Sequence, residues 1–171
     1  MNNDKPDIKM LAMDVDGVLT DGGLIIHHNG DESKKFHVHD GGWIRIWRRL
    51  GLKTAVITGR QCPAVAHRMK DLEIDFVYQK AIDKLEVFDT LLKESQIPAE
   101  QIAYIGDDVF DMPIIRRVGF SVVVADGLDE LKQEADYVTT ARGGQGAVAE
   151  MIRYMLKRMG LWDKAMERYR R

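Results

Sequence analysis

Three features of the sequence predict an α/β fold of the doubly wound, Rossmann-like class, with helices on both faces of a parallel sheet. Short β-rich runs alternate with helical patterns along the chain, which is typical of strands joined by crossover helices. Several of these runs are continuously apolar, as expected for strands that are covered on both sides. Acidic and polar residues directly follow the runs, at the strand ends where open parallel sheets bind ligands.

The apolar periodicity and the turn residues between the runs predict six strands and five helices. The strands are predicted over residues 9–15, 53–58, 75–79, 101–106, 120–125 and 136–140. The helices are predicted over residues 43–50, 63–72, 82–95, 109–118 and 147–159. No repeat or internal linker interrupts this order, so residues 1–171 are expected to form a single domain.

One segment departs from the alternation and is predicted to be an inserted β-hairpin over about residues 23–39. Its two β-like runs, 24–28 and 35–38, flank the sequence NGDES, in which Asn29-Gly30 is a strong turn signal. An isolated two-stranded hairpin is marginally stable in water. Its apolar residues are therefore expected to pack on something, and another subunit is a candidate: Leu24, Ile25, Ile26, Phe36 and Val38.

The composition narrows the class of protein. With 45% hydrophobic and 30% charged residues the chain is ordinary for a globular protein. A formal net charge of -2 gives no reason to expect nucleic acid or an anionic membrane as a partner. No apolar run approaches the roughly 18 residues of a membrane-spanning helix. The single cysteine, Cys62, cannot form an internal disulfide, which suits a reducing compartment, and a cytoplasmic protein is expected.

Carboxylates follow the first and fourth predicted strands. Asp14 and Asp16 end the first, and Asp107 follows the fourth. Carboxylate oxygens suit Mg2+, which favours one or two carboxylates together with substrate phosphate and water. Asp14 and Asp16 share one side of an extended backbone. One could therefore attack phosphorus while the other exchanges a proton with the leaving oxygen and later with water.

Groups able to bind phosphate follow the second and third strands. Thr58 and the adjacent Gly59 end the second strand, and the Thr58 hydroxyl could hydrogen-bond a phosphoryl oxygen, to which Lys84 would add positive charge. Each has a structural alternative, a helix N-cap for Thr58 and a solvated helix position for Lys84. Arg60 could bind a substrate carboxylate through its planar fork or form a surface ion pair.

Four motifs occur in a fixed order: DVDGVLTDG (14–22), ITGR (57–60), Lys84 and GDDVFDMP (106–113). This set resembles the haloacid dehalogenase superfamily of aspartate-nucleophile phosphatases. The resemblance implies that Asp14 is the nucleophile, which forms an aspartyl-phosphate, and that Asp16 is the general acid/base.

The same resemblance assigns the remaining site residues. Thr58 and Lys84 would bind the phosphoryl group. Mg2+ would be held by the Asp14 carboxylate, the Asp16 backbone carbonyl and the Asp107 carboxylate. Asp108 and Asp111 would support the metal site without binding the ion, with helix N-caps as their structural alternative.

The spacing of the motifs narrows the resemblance. Only the hairpin and one helix separate Gly17 from Thr58, and residues 84–107 leave no room for a cap domain. From about residue 8 to residue 155 the chain is similar to the capless branch that contains 3-deoxy-D-manno-octulosonate 8-phosphate phosphatase. This similarity implies an Mg2+-dependent phosphatase acting on a 2-keto-3-deoxy sugar acid phosphate. It also implies a homotetramer, in which the hairpins pack together and neighbouring subunits help cover each active site.

The sequence is also consistent with a different substrate and with a different class of protein. The chain has DGGW at 40–43, where that family usually has an aromatic residue and another glycine after DG, and Lys80 where it commonly has glycine. A nine-carbon, sialic-type sugar acid 9-phosphate is therefore an alternative substrate. A receiver-like phospho-acceptor signalling module is the alternative from another class, since it also combines acidic residues, Thr, Lys and Mg2+ on a doubly wound sheet.

Overall fold

The computed structural model describes residues 6–170, and this part of the chain contains a six-stranded sheet and a separate two-stranded hairpin. The strands are β1 (Met10–Met13), β2 (Ile25–Ile26), β3 (Glu32–Ser33), β4 (Lys53–Ile57), β5 (Phe76–Tyr78), β6 (Ile102–Gly106), β7 (Phe120–Val123) and β8 (Tyr137–Val138). The large sheet has the spatial order β5-β4-β1-β6-β7-β8, and every neighbouring pair is parallel. The predicted doubly wound sheet is confirmed.

The strand order distinguishes the predicted phosphatase from the alternative, a receiver-like module. Numbered along the chain without the hairpin, the sheet strands have the order 3-2-1-4-5-6, which is that of the Rossmann fold. A receiver-like module has the flavodoxin-like order 2-1-3-4-5, so the receiver alternative does not describe this chain. The order reverses between β1 and β6, and the crevice beyond their carboxyl ends is the expected ligand site.

Helices cover both faces of the sheet. They are α1 (Val38–Arg49), α2 (Pro63–Asp71), α3 (Lys84–Ser95), α4 (Met112–Ile115), α5 (Asp129–Lys132), α6 (Ala147–Arg158) and α7 (Trp162–Met166). Because side chains alternate along a strand, Leu11 and Met13 of β1 pack in a core with α1, α2 and α6, while Met10 and Ala12 pack in a second core with α3, α4 and α5. Within residues 6–170 no helix has both the length and the apolar composition needed to cross a bilayer.

Some helix boundaries differ from the prediction. Helix α1 begins at Val38 instead of residue 43 and includes two glycines. Asp40 explains this start, because it is 1% exposed and its Oδ1 accepts a 2.8 Å hydrogen bond from the Ala149 N–H of α6. A buried tertiary contact thus outweighs the low helix propensity of glycine. The helix predicted over 109–118 is a 3-10 turn, Val109–Asp111, followed by the short α4, and α5 and α7 were not predicted.

The predicted hairpin forms, but its second strand lies elsewhere. Ile25 pairs with Ser33 and Ile26 with Glu32 in an antiparallel ladder, so β3 is Glu32–Ser33 and the strand predicted over 35–38 is wrong. Phe36 packs against the first core, and Val38 already belongs to α1. On the hairpin itself, three apolar side chains remain about half exposed: Leu24, Ile25 and Ile26.

At each edge of the sheet, an equivalent set of hydrogen bonds to an aspartate links the outer strand to its neighbour. The N–H and hydroxyl of Thr54 in β4 donate to Asp75 Oδ2, just before β5, at 3.0 and 2.9 Å. The N–H and hydroxyl of Ser121 in β7 donate to Asp136 Oδ2, just before β8, both at 2.8 Å. Both contacts lie at the amino ends of the strands, so they set the register at the edge opposite the ligand crevice.

Candidate active site

The carboxyl ends of the central strands surround a cavity of about 420 Å³. All of the predicted site residues line it: Asp14, Asp16, Thr58, Gly59, Arg60, Lys84 and Asp107. Ile82 and Phe110 add apolar surface and are 84% and 68% exposed. A larger cavity of about 570 Å³, between α6 and the start of α1, contains none of these residues. The convergence of charged groups, and not size, therefore identifies the candidate active site.

Asp14 directly follows β1 and is 6% exposed. Its N–H donates to the Ile105 carbonyl at 3.1 Å, its Oδ1 accepts from the Val15 N–H at 2.7 Å, and its Oδ2 lies 2.9 Å from Lys84 Nζ. Burial raises the pKa of Asp14 to about 6, against the opposing effect of Lys84 and with a contribution from Asp111. Backbone and side-chain contacts thus fix this carboxylate at the end of a buried strand.

The loop after Asp14 is organised by Thr20, which is not among the predicted site residues. Its hydroxyl oxygen accepts hydrogen bonds from the N–H groups of Gly17 and Gly22, each at 3.3 Å. Gly143 packs so tightly behind the loop that a Cβ atom there would lie 1.8 Å from the Gly17 carbonyl oxygen. The glycine-rich loop RGGQG, residues 142–146, therefore supports the first motif. In the sequence, the threonine between Gly17 and Gly22 was the available sign of such a loop.

The carboxylate of Asp16 is paired with Lys34, which is also not among the predicted site residues. The Lys34 side chain is 0% exposed, and its Nζ forms an ion pair with Asp16 Oδ1. Arg60, considered for a substrate carboxylate or a surface ion pair, is paired with Glu32 of β3. The sequence alone does not distinguish Lys34 from Lys35, since the two adjacent residues are of the same type. In the structure, the side chain of Lys35 is 70% exposed.

Asp107 follows β6 and carries an unpaired buried oxygen. Its Oδ1 has no hydrogen-bond partner within residues 6–170. Burial, together with the carboxylates of Asp14 and Asp111, raises the pKa of Asp107 to about 8. A buried acceptor without a donor, next to further carboxylates, is a position that a cation would stabilise.

Asp111 is fully buried and has both of its oxygens engaged. Oδ1 accepts from the Tyr104 hydroxyl and from Lys84 Nζ, each at 2.6 Å. Oδ2 accepts from the backbone N–H groups of Asp107 and Asp108 at 3.0 and 3.3 Å. The side chain of Asp108 accepts from the Val109 N–H and caps the 3-10 turn.

A divalent cation fits this set of oxygens. Carboxylate oxygens of Asp14, Asp107 and Asp111 lie within 4.8 Å of one another. Asp111 already accepts four hydrogen bonds, so Asp14 and Asp107 have the oxygens best placed to become ligands.

The structural alternatives for Thr58 and Lys84 are both wrong. Thr58 is 2% exposed and precedes no helix directly, since the N-cap of α2 is Cys62. Lys84 is 7% exposed and bridges Asp14 and Asp111. Burial opposes its charge, but the two carboxylates outweigh burial and raise the pKa of Lys84 above its ordinary value. A permanent positive charge therefore faces the Asp14 carboxylate.

A Rossmann-type sheet with an aspartate pair after β1, a buried lysine and a further aspartate after β6 defines a hydrolase of phosphate esters. Residues 74–152 match the family model of haloacid dehalogenase-like hydrolases. Over 158 residues the chain is 43% identical to the 3-deoxy-D-manno-octulosonate 8-phosphate phosphatase KdsC of Escherichia coli strain K12, covering 92% of this chain and 84% of that protein.

Two solved structures are similar over nearly the whole chain. A probable YrbI family phosphatase from Pseudomonas syringae pv. phaseolica 1448a is 41% identical, with a TM-score of 0.95 and coverage of 98% of this chain and 95% of that one. The 3-deoxy-D-manno-octulosonate 8-phosphate phosphatase of Moraxella catarrhalis, in complex with magnesium, phosphate and KDO, is 38% identical, with a TM-score of 0.93 and coverage of 96% and 95%. The chain belongs to the 3-deoxy-D-manno-octulosonate 8-phosphate phosphatase family of haloacid dehalogenase-like hydrolases.

Proposed function

We propose that this chain is an Mg2+-dependent phosphatase that hydrolyses 3-deoxy-D-manno-octulosonate 8-phosphate through an aspartyl-phosphate. The observation that carries the proposal is the convergence of Asp14, Asp16, Lys84 and Asp107 on one cavity at the switch point of the sheet. The similar proteins of Escherichia coli and Moraxella catarrhalis support the substrate, since both are phosphatases for this sugar acid phosphate.

The reaction has two steps, formation and hydrolysis of the aspartyl-phosphate, and Asp14 and Asp16 have different roles in each. An oxygen of Asp14 attacks phosphorus, and the bond between phosphorus and the sugar oxygen breaks while Asp16 gives that oxygen a proton. Asp16 then takes a proton from water, which attacks the aspartyl-phosphate and releases phosphate with Asp14 regenerated. Lys84 and Thr58 hold the phosphoryl oxygens, and Gly59 and Arg60 line the cavity beside them.

The cation site supports the first step. Bound Mg2+ offsets the repulsion between a carboxylate nucleophile and a phosphate dianion. The Asp14 and Asp107 carboxylates and the Asp16 backbone carbonyl would hold the ion. Asp111 fixes the backbone from which Asp107 projects, through hydrogen bonds from the Asp107 and Asp108 N–H groups.

The test of this proposal is phosphate release with and without Mg2+, comparing the eight-carbon substrate with nine-carbon sugar acid 9-phosphates. Asp14→Asn should abolish release, whereas Asp163→Asn, at an exposed aspartate outside the cavity, should not change it. Preferential release from the eight-carbon substrate supports the proposal. Release only from a nine-carbon substrate would be consistent with the mechanism but would contradict the proposed eight-carbon substrate. Release from none of the substrates would contradict both.

We also propose a homotetramer that assembles through the hairpin. Leu24, Ile25 and Ile26 support it, because three adjacent apolar side chains are 52%, 51% and 56% exposed on an element with little core of its own. Ile25→Lys should reduce the assembly in sedimentation velocity, whereas Val138→Lys on the edge strand β8 should not. An unchanged particle size for Ile25→Lys would exclude the hairpin as the interface.

The remaining proposals concern organisation and location. One sheet with two helical layers over the described residues supports a single hydrolase domain over 1–171, with the hairpin as its insertion. A single buried, unpaired cysteine, Cys62, supports a cytoplasmic location. Fractionation of cells that produce the protein tests the location directly.

A further inference from the structure

A lysine next to the hairpin pairs with an aspartate that lines the active-site cavity. Lys34 directly follows β3, and its side chain is 0% exposed, whereas that of the neighbouring Lys35 is 70% exposed. Burying an ammonium group is costly unless carboxylates compensate it. Lys34 meets this condition, because its Nζ pairs with Asp16 Oδ1 and lies 3.5 Å from Glu32 Oε2.

The contact with Lys34 gives the two oxygens of Asp16 different roles. Oδ1 accepts the hydrogen bond from Lys34, while Oδ2 is buried and has no partner among the residues that the structure describes. Asp16 lines the active-site cavity. A carboxylate with one oxygen fixed presents the other in a defined orientation, which proton exchange with a leaving oxygen requires.

Lys34 has a second carboxylate partner, Glu32, which is itself part of a further ion pair. Glu32 pairs with Lys34, and Arg60, which follows β4, pairs with Glu32. Charges therefore alternate along the contacts from Arg60 through Glu32 and Lys34 to Asp16. This arrangement restrains the ammonium without adding net charge to the site.

We propose that Lys34 is a positioning residue for the phosphatase reaction: its ammonium orients the Asp16 carboxylate so that Oδ2 exchanges protons with the leaving oxygen and then with water. The inference rests on the proposed function, in which Asp16 is the general acid/base. It gives the segment after the hairpin a part in catalysis that is separate from subunit assembly.

The first comparison is between Lys34→Met and Lys35→Met, which remove the same charge from adjacent residues. Lys34→Met should lower kcat by about 10- to 100-fold, because a small misplacement of a catalytic group costs up to about 10²-fold. Its KM should change much less, and Lys34→Arg should recover part of kcat. Lys35→Met should keep the activity of the unchanged protein.

A double-mutant cycle separates positioning from substrate binding. A residue that acts only through Asp16 has no further effect once Asp16 is replaced, so Lys34→Met combined with Asp16→Asn should be no slower than Asp16→Asn alone. With p-nitrophenyl phosphate, whose leaving group departs without a proton, Lys34→Met should keep its first-turnover burst. Losses that multiply, or a raised KM with unchanged kcat, would overturn the positioning role.

Two further points keep the outcomes distinct. Thermal unfolding checks that each variant is folded. If Lys34→Met does not fold, Lys34→Arg and Glu32→Gln replace it in the comparison with Lys35→Met. Full activity in Asp14→Asn would contradict the proposed function itself. Normal kcat in Lys34→Met, together with an inactive Asp14→Asn, would contradict only the role of Lys34.

Discussion

A Cβ atom on Gly17 would lie 2.0 Å from Asp107 Oδ2, a separation that real Cβ atoms essentially never show. Gly17 also has a φ of 87°, in the left-handed region that glycine adopts without a steric cost. The loop after β1 and the end of β6 therefore meet with no side chain between them. This close approach allows the Asp107 carboxylate to lie beside Asp14, so the glycine of the first motif is part of the acidic site.

Gly17→Ala should remove Mg2+-dependent activity by displacing Asp107. Gly30→Ala is the matched control, because Gly30 has the same φ of 87° and nothing within 4 Å of its Cβ position. The control should lose only the cost of a left-handed backbone, about 1 kcal/mol of unfolding free energy. Urea unfolding and phosphate release measure the two effects, and equal behaviour of the variants would show that the contact with Asp107 is unimportant.

Tyr104→Phe tests whether Asp111 depends on its buried hydroxyl partner. The Tyr104 hydroxyl is fully buried and donates to Asp111 Oδ1, so its loss should lower the unfolding free energy by about 1–2 kcal/mol and reduce kcat. Tyr78→Phe is the control, since it removes a hydroxyl that donates to the exposed Glu94. Chemical unfolding of both variants measures the difference, and an equal loss would indicate that the buried network contributes nothing special.

The sheet and the acidic residues of the candidate site were predictable because both depend on local sequence patterns. Continuous apolar runs identify strands covered on both faces, and the chemistry of a parallel sheet lies at the strand ends. Asp14 and Asp107 could be placed together on that basis alone. Their positions in the structure, after β1 and β6 at the switch point, agree with the prediction.

The misplaced elements and missed residues depend on contacts between distant segments. Helix α1 starts early because Asp40 accepts a hydrogen bond from α6, more than a hundred residues along the chain. The buried side chain of Lys34 pairs with Asp16 and Glu32, whereas the side chain of its sequence neighbour Lys35 is exposed. Residue type and periodicity contain no information about such partners.

Mg2+ should stabilise the protein more at pH 8 than at pH 6. Burial and neighbouring carboxylates raise the pKa of Asp107 to about 8, so without metal the folded site holds a proton that the unfolded chain has lost. From about pH 4 to pH 8 this group therefore makes the metal-free protein less stable as the pH rises. Mg2+ must displace the proton, so its affinity should increase by on the order of tenfold per pH unit below that pKa.

Thermal unfolding at several Mg2+ concentrations, repeated at pH 6, 7 and 8, measures this dependence. Asp107→Asn is the informative variant, because it removes both the titrating group and a proposed ligand. Its melting temperature should not respond to Mg2+, and its metal-free stability should vary less with pH. A pH-independent Mg2+ effect in the unchanged protein would show that Asp107 is already ionised at pH 6.

Lys80 stands at a left-handed position beside the active site, with a φ of 59°. Its N–H donates to the Arg60 carbonyl at 3.2 Å, and it precedes Ala81 and Ile82 at the cavity wall. A lysine here is strained, because only glycine adopts the left-handed region without a steric cost. The strain arises from the backbone conformation at Lys80 and not from the charge of its side chain.

Lys80→Gly should therefore raise the unfolding free energy, by less than about 1 kcal/mol, since relief of the left-handed strain exceeds the added entropy of the unfolded chain. Lys80→Ala removes the same charge but keeps a Cβ atom, so it should not stabilise the protein. Urea unfolding of the two variants distinguishes conformation from charge. Equal stabilisation by glycine and alanine would assign the effect to the lysine charge, and a loss of stability in both would show that the Lys80 side chain makes a favourable contact.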